Sequence, residues 1–483
     1  MSQAALSAEE APVRFTEDWL AVVVGVGIFA LGLLSAVGLD ALGWVATTSV
    51  WSDPTTALAP ASKAYTSLGG GGSLLVTYLA LLIVLTLGAA ALGEDVRRFA
   101  LAFTFVFVIA YASWFVGAWA RFAAVTPADQ AKFGLSWSLK LTSEGGFIAA
   151  LIAGLVIANV FPRLAAAIRP EIYIKIAIVI LGAFIAVTAA GKLNLASSLL
   201  LRGVAAIVEA YLIYWPVVYL IARKGFGFSR EWSAPLASRI SICGVAATIA
   251  TGGAIRARPQ VPLLVSSLVV IFAVIEVLLL PTLANAFMSH ELLVAAAWMG
   301  LAVKTDGAAV AAGGITQSLI QSTAAAEGIH YQPGWILSVT ATVKVFIDVL
   351  IGVWAFILAW IWTNHINPDA EKAKAIEIWR RFPKFILGFV ATFAIALVLA
   401  LTTPVGASGK LASAIGEANV LRVIFFTLTF FSIGVMSNFR KLWDDGLGKL
   451  AAVYVVSLFG FVIWVGFVIS WLFFAGVKPP LVS

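Results

Sequence analysis

This chain of 483 residues has little of what water-soluble proteins rely on. Only 11% of its residues are charged, against about 25% in ordinary globular domains. It has one cysteine, Cys243, which excludes an intrachain disulfide and a multi-cysteine metal centre. Its three histidines, His290, His330 and His365, have no metal-ligand spacing. There is no P-loop, so the chain itself does not burn ATP. No H-E-x-x-H and no G-x-S-x-G occurs, and a catalytic constellation of either kind is absent. The chain therefore reads as a protein that is not an enzyme and carries no cofactor. The net charge of +7 does not point to nucleic acid, because the basic residues sit at the ends of apolar segments instead of along one face.

What is abundant is hydrophobic sequence, 61% of the residues. Apolar runs long enough to cross a hydrocarbon layer recur from Trp19 to Leu472. The first, Trp19 to Leu39, is uncharged, too long for a signal peptide and followed by no cleavage site, so it is expected to be retained. The spacing predicts an all-α polytopic membrane protein with about 13 crossings. Five blocks follow in order: a polar start (1–18), N-terminal membrane helices with a Gly/Ser-rich loop (19–144), a core that contains both interruptions of the apolar pattern (145–362), a charged cytoplasmic loop (363–384) and C-terminal membrane helices (385–483). The loop from Asp40 to Ser73 ends in Gly69-Gly70-Gly71-Gly72, which is linker composition. Lys and Arg are richer at the ends that are cytoplasmic if the N-terminus is inside, and this sets the orientation.

Two segments break the apolar pattern. Ser241 to Gly253 reads SICGVAATIATGG, and Gly300 to Ile315 reads GLAVKTDGAAVAAGGI. Backbone that loosens at membrane depth is tolerated only inside protein or along a polar cavity. A pair of such segments marks the binding site of a transporter. A helix that restarts after a break exposes free N–H groups and a partial positive charge, which hold an anion. The candidate substrate contacts in the first segment are Ser241, Cys243, Gly244, Thr251, Gly252 and Gly253. In the second they are Lys304, Thr305, Gly307, Gly313 and Gly314. The competing explanation for the glycines is close helix packing.

Ionisable residues at this depth are costly and mark function by default. Lys304 could neutralise an anion and Asp306 could carry a proton or Na⁺; alternatively the two form a structural pair closing the break. Lys344 and Asp348 stand at i, i+4, paired with each other or with the broken segment. Asp306, Lys344 and Asp348 are the coupling candidates. Glu209 and Glu276 are each alone in an apolar span, as proton carriers or as partners of an arginine.

Ser241-Ile242-Cys243-Gly244, then Gly300 with Val310-Ala311-Ala312-Gly313, then Val343-Lys344, resemble the signatures of the YeiH-type sulfate exporter family. Ile174–Val187, with Leu181-Gly182, looks like an earlier family helix. The resemblance spans roughly Gly145 to Leu358. It departs where the family's His-Glu falls on Lys304-Thr305 and where a basic residue falls on Ile347. The resemblance implies two inverted repeats with discontinuous crossing helices, and alternating access of an elevator-like kind within a homodimer. It also implies export of sulfate or sulfite from the bacterial inner membrane, coupled to H⁺ or Na⁺. Rival expectations are a cation/proton antiporter on the same architecture, with Asp306 as carrier, and an ion channel.

Overall fold

The computed structural model describes residues 15–482 apart from 125–126, 140–144, 162–170, 191–192, 259–260, 263–264, 266–268, 367–378, 380–381, 404–407 and 438–447. Most of the polar start and of the charged loop at 363–384 lies outside the described residues, as does most of Arg440–Lys449.

Among the described residues, eight helices are long and apolar enough to cross a membrane, and shorter apolar helices accompany them. Helices dominate because a chain this apolar leaves few polar partners for its backbone, so each segment must satisfy its own N–H and C=O groups. The first, α1 (Glu17–Leu34), starts at Thr16, whose hydroxyl accepts from Trp19 N. Its first-turn acids, Glu17 and Asp18, grip Lys175 Nζ at 2.8 and 2.9 Å.

The glycine run at 69–72 is not a linker. It forms the start of α2 (Gly69–Ala91). Gly69 turns into the helix at φ +61°, and a Cβ on Gly70 would fall within 3.0 Å of Leu58. Leu58 lies in a short antiparallel ribbon, β1 (Ala46–Thr48) with β2 (Leu58–Pro60), pairing Ala46 with Pro60 and Thr48 with Leu58. The missing side chain lets the helix end abut that ribbon. Thr77 inside α2 bonds Ala46 N at 2.9 Å, which ties the two together. Then comes α3 (Val96–Gly117), capped by Asp95 accepting from Arg98 N at 2.9 Å.

One bundle joins early and late helices: α4 (Gly145–Val160) and α5 (Glu171–Ala190) pack with the later pair Phe385–Thr402 and Ser408–Met436, and with α1 and α3. Glycines set these crossings. Gly154 and Gly434 face each other so closely that a Cβ on either would meet the opposing backbone within 3.0 Å, and Gly182 meets Phe389 O in the same way.

The second bundle carries the interrupted segments. It begins with α6 (Leu193–Val208), which runs through a π turn (Glu209–Tyr214) into Trp215–Leu220. Then follow α7 (Arg230–Ser241), α8 (Val245–Ala254), α9 (Val269–Met288), α10 (Leu292–Ala302), α11 (Asp306–Ala326), α12 (Trp335–Val349) and α13 (Ile351–Ile361). The later pair introduced above becomes α14 (Phe385–Thr402) and α15 (Ser408–Met436). At the end of the chain α16 (Gly448–Ser457) passes through a further π turn (Leu458–Val462) into α17 (Ile463–Phe474), which packs on α10.

Candidate functional site

Both interrupted segments are broken helices. In the first, α7 stops at Ser241 and α8 starts at Val245, with Gly244 at φ −48° and ψ −83° between them. In the second, α10 stops at Ala302 and α11 starts at Asp306. Here Val303 is extended (φ −82°, ψ 121°) and Thr305 caps α11 by accepting from Ala308 N at 3.2 Å. The two breaks meet. Gly244 N donates to Lys304 O at 2.8 Å, a main-chain bond across the crossing. The helix breaks leave orphan carbonyls at two C-terminal ends, and one ammonium serves both: Lys344 Nζ, from α12, donates to Ile242 O at 2.7 Å and to Lys304 O at 3.5 Å.

Around this ammonium lie two carboxylates and a thiol. Lys344 Nζ is 3.5 Å from Asp306 Oδ1 and 3.7 Å from Asp348 Oδ1. Cys243 Sγ donates to Asp306 Oδ1 at 2.9 Å. Ligand atoms of Cys243, Asp306 and Asp348 lie within 4.8 Å of one another, a spacing compatible with a metal ion. Asp306 is the accessible member, with 16% of its side chain exposed against 2% for Lys344 and Asp348. Asp348 Oδ1 accepts no hydrogen bond, so the lysine is its compensation.

Lys304 and Asp306 do not pair. The Lys304 side chain turns away from the crossing, with Nζ 4.3 Å from the centre of the Tyr214 ring and donating to Leu301 O. Its backbone N donates to Glu276 Oε2 at 3.2 Å, so the lone acid of α9 satisfies an amide freed by the break. Glu276 faces the charge of Arg239 as well. Lys344 does form an ion pair with Asp348 along its own helix, and it also clamps the broken segments; the two expectations for it hold together.

The predicted contacts divide. Cys243, Gly244, Lys304 by its carbonyl, Thr305, Asp306, Lys344 and Asp348 are brought together at the crossing. Ser241 is buried at the end of α7 with no hydrogen-bond partner for its hydroxyl. Thr251 bonds Ser238 Oγ at 2.7 Å, pinning α8 to α7 away from the breaks. Gly252 packs on Pro262, and Gly253 is exposed near the end of α8. Gly313 is a packing glycine, since a Cβ there would stand 2.7 Å from Thr340 Oγ1 of α12. Gly314 has Phe147 at 3.9 Å from its Cβ position, and Gly307 has Ile174 and Thr429 at 3.4 Å. Arg258 does not reach the crossing: its N and Nε bond Glu231 Oε1 at 2.7 and 3.1 Å. This pair holds the Glu231 carboxyl below the usual range.

The sequence did not single out Tyr214, Arg239 or the Glu276 contact. The one available signal was the isolation of Glu209 and Glu276 in otherwise apolar helices.

Comparison with known proteins bears on this arrangement. A family described as "Conserved hypothetical protein 698" matches residues 103–453. A UPF0324 membrane protein of Nitrosomonas europaea is 39% identical over 475 residues, 96% of this chain and 97% of its own. A UPF0324 membrane protein of Rhodopirellula baltica is 31% identical over 375 residues, covering 75% of this chain and 61% of its own. An uncharacterised protein of Archaeoglobus fulgidus is 47% identical over 170 residues, 31% of this chain and 91% of its own. No solved structure matches the chain.

Proposed function

The chain belongs to the UPF0324 membrane protein family, and on that premise we propose an ion-coupled secondary transporter that moves a small anion across the bacterial inner membrane by alternating access. The observation that carries this reading is the meeting of the two helix breaks, Gly244 N on Lys304 O at 2.8 Å, under one shared lysine. Opened backbone held inside a bundle of apolar helices is how secondary transporters build a site near the midplane. The N-termini of α8 and α11 converge there, so their free amides favour negative charge. Sulfate or sulfite is the cargo class that the sequence resemblance supplies. The Asp306–Lys344–Asp348 cluster is the coupling element, taking up H⁺ or Na⁺ as Lys344 shifts between its carboxylates and the two carbonyls.

The finer architecture belongs to the same proposal: about 13 crossings in two inverted repeats, a cytoplasmic N-terminus and an elevator-like homodimer. A second reading, cation/proton antiport, is favoured by the two carboxylates that face one ammonium at the crossing.

Proteoliposomes given labelled sulfate or sulfite under imposed pH and Na⁺ gradients separate the two. Saturable, gradient-driven anion uptake that Asp306→Asn abolishes supports the anion carrier. Na⁺/H⁺ exchange without anion flux replaces it with the antiporter. Flux that never saturates and cannot be driven uphill overturns both in favour of a channel.

A further inference from the structure

A second charged group lies inside the same bundle and takes no part in the crossing cluster. Glu209 opens the π turn of α6, fully buried, and neither carboxylate oxygen has a hydrogen-bond partner. π turns interrupt helices mostly at functional positions, and this one aims a carboxylate inward. An ionised carboxylate without hydrogen bonds in an apolar interior is costly, whereas the neutral acid is tolerated. Structural glutamates in such places are normally cradled by several donors, whereas the donor beside this one is the Tyr214 phenol, whose proton goes to Val462 O.

Its surroundings are specific. From its own turn, Tyr214 lies alongside, but the phenol donates instead to Val462 O at 2.8 Å. The charge that faces Glu209 is the ammonium of Lys304. Behind Lys304 stand Glu276 of α9, bonded to Lys304 N, and Lys344 and Asp348 of α12. The charge of Arg239 on α7 also acts on Glu276. On the far side, α17 presents no charge. It presents Gly466, whose Cβ position is 2.7 Å from Tyr214 Oη and 3.5 Å from Glu209 Oε1, so a glycine keeps the slot open. One turn along that helix, on the same face, is Ser470, buried with an unpartnered hydroxyl.

We infer that Glu209 is a proton-binding site distinct from the Asp306–Lys344–Asp348 cluster, and that its protonation state is read by the helix break through Lys304. On protonation, an O–H bond forms at a Glu209 oxygen with a proton drawn from the aqueous phase. Lys304 stays an ammonium and loses its counter-charge. The backbone of Lys304 is the junction of the two breaks, since its N is held by Glu276 and its O by Gly244 and Lys344. A change in the pull on its side chain is therefore delivered to the crossing. The consequence for transport rests on the transporter reading; the protonation itself does not.

The test is infrared difference spectroscopy of the purified full-length protein in lipid, titrated with acid. A protonated-carboxyl band that grows as pH falls is expected in the wild type and in Glu276→Gln, and is expected to lose the Glu209 component in Glu209→Gln. The same band at full size in Glu209→Gln overturns the inference. If that variant does not fold, Glu209→Asp keeps the acid on a shorter arm; the band is expected to change frequency, and an unchanged band overturns the inference equally. In proteoliposomes, Glu209→Gln is expected to lose pH-driven sulfate or sulfite uptake while keeping equilibrium exchange of the same anion across the membrane. Retained pH-driven uptake would count against Glu209. A wild type that moves neither anion sinks the transporter reading, and the infrared band still decides Glu209.

Discussion

Gly244 N and Lys304 O, sixty residues apart in the chain, form a 2.8 Å main-chain hydrogen bond where two broken helices cross. The bond joins segments whose own helical ladders have stopped. One side chain, Lys344, donates to Ile242 O at 2.7 Å and adds a second, longer contact at 3.5 Å to the Lys304 O already bonded by Gly244. The crossing is thus held by one backbone bond and one buried ammonium, and its properties follow from that economy.

Removing the ammonium should be severe. Lys344→Met takes the donor from Ile242 O and leaves Asp306 and Asp348 facing each other, and breaking a buried pair of this kind costs about 3–5 kcal/mol. A lowered melting temperature in detergent is expected. Adding Asp348→Asn to Lys344→Met should recover part of it, because the stranded charge is gone. A double variant no more stable than additivity allows would show that the pair is not coupled.

Cys243 gives a direct probe of the crossing. It is the only cysteine, is 4% exposed and donates to Asp306. A maleimide should label the folded protein slowly and the denatured protein at once. Asp306→Ala should speed labelling of the folded form by removing the acceptor. Rapid labelling of the native wild type would contradict the burial described.

The glycine run at the start of α2 should respond position by position. Gly71→Ala has nothing within 4 Å of the added Cβ and should be neutral or stabilising by about 0.4–1 kcal/mol. Gly70→Ala drives a methyl into the ribbon at Leu58 and should cost about 1–3 kcal/mol, as overpacking does. Thermal melts of the two variants side by side would read the difference. Equal effects would mean that the helix does not abut the ribbon.

Acid should loosen the start of α7. Glu231 is held below its ordinary value of 4.5 by hydrogen bonds from Arg258. A depressed carboxyl contributes stability that is fully present above the unfolded value and is lost as pH falls through the lower, folded value. Melting temperature should therefore drop in that acidic window, and Glu231→Gln should flatten that part of the profile. A variant profile parallel to the wild type would remove this pair from the account.

The sequence by itself determined that the chain is a bundle of apolar helices and that two of its helices are interrupted at 241–253 and 300–315. Both are local properties: run length sets a helix in an apolar medium, and small residues with a charged pair interrupt it. It also marked Asp306, Lys344 and Asp348, because charge in an apolar span is costly and is a functional hypothesis by default. Only the tertiary structure decided what each charge faces. Lys304 and Asp306 are neighbours in sequence, yet one lies on Tyr214 and the other on Cys243 and Lys344. The extended residues of the break send them to different sides, and their partners come from other segments of the chain. The glycines were equally silent: composition alone could not tell the linker expected at 69–72 from a helix abutting a ribbon, nor a break from packing at Gly313, because a missing Cβ acquires meaning only from the atom that approaches it.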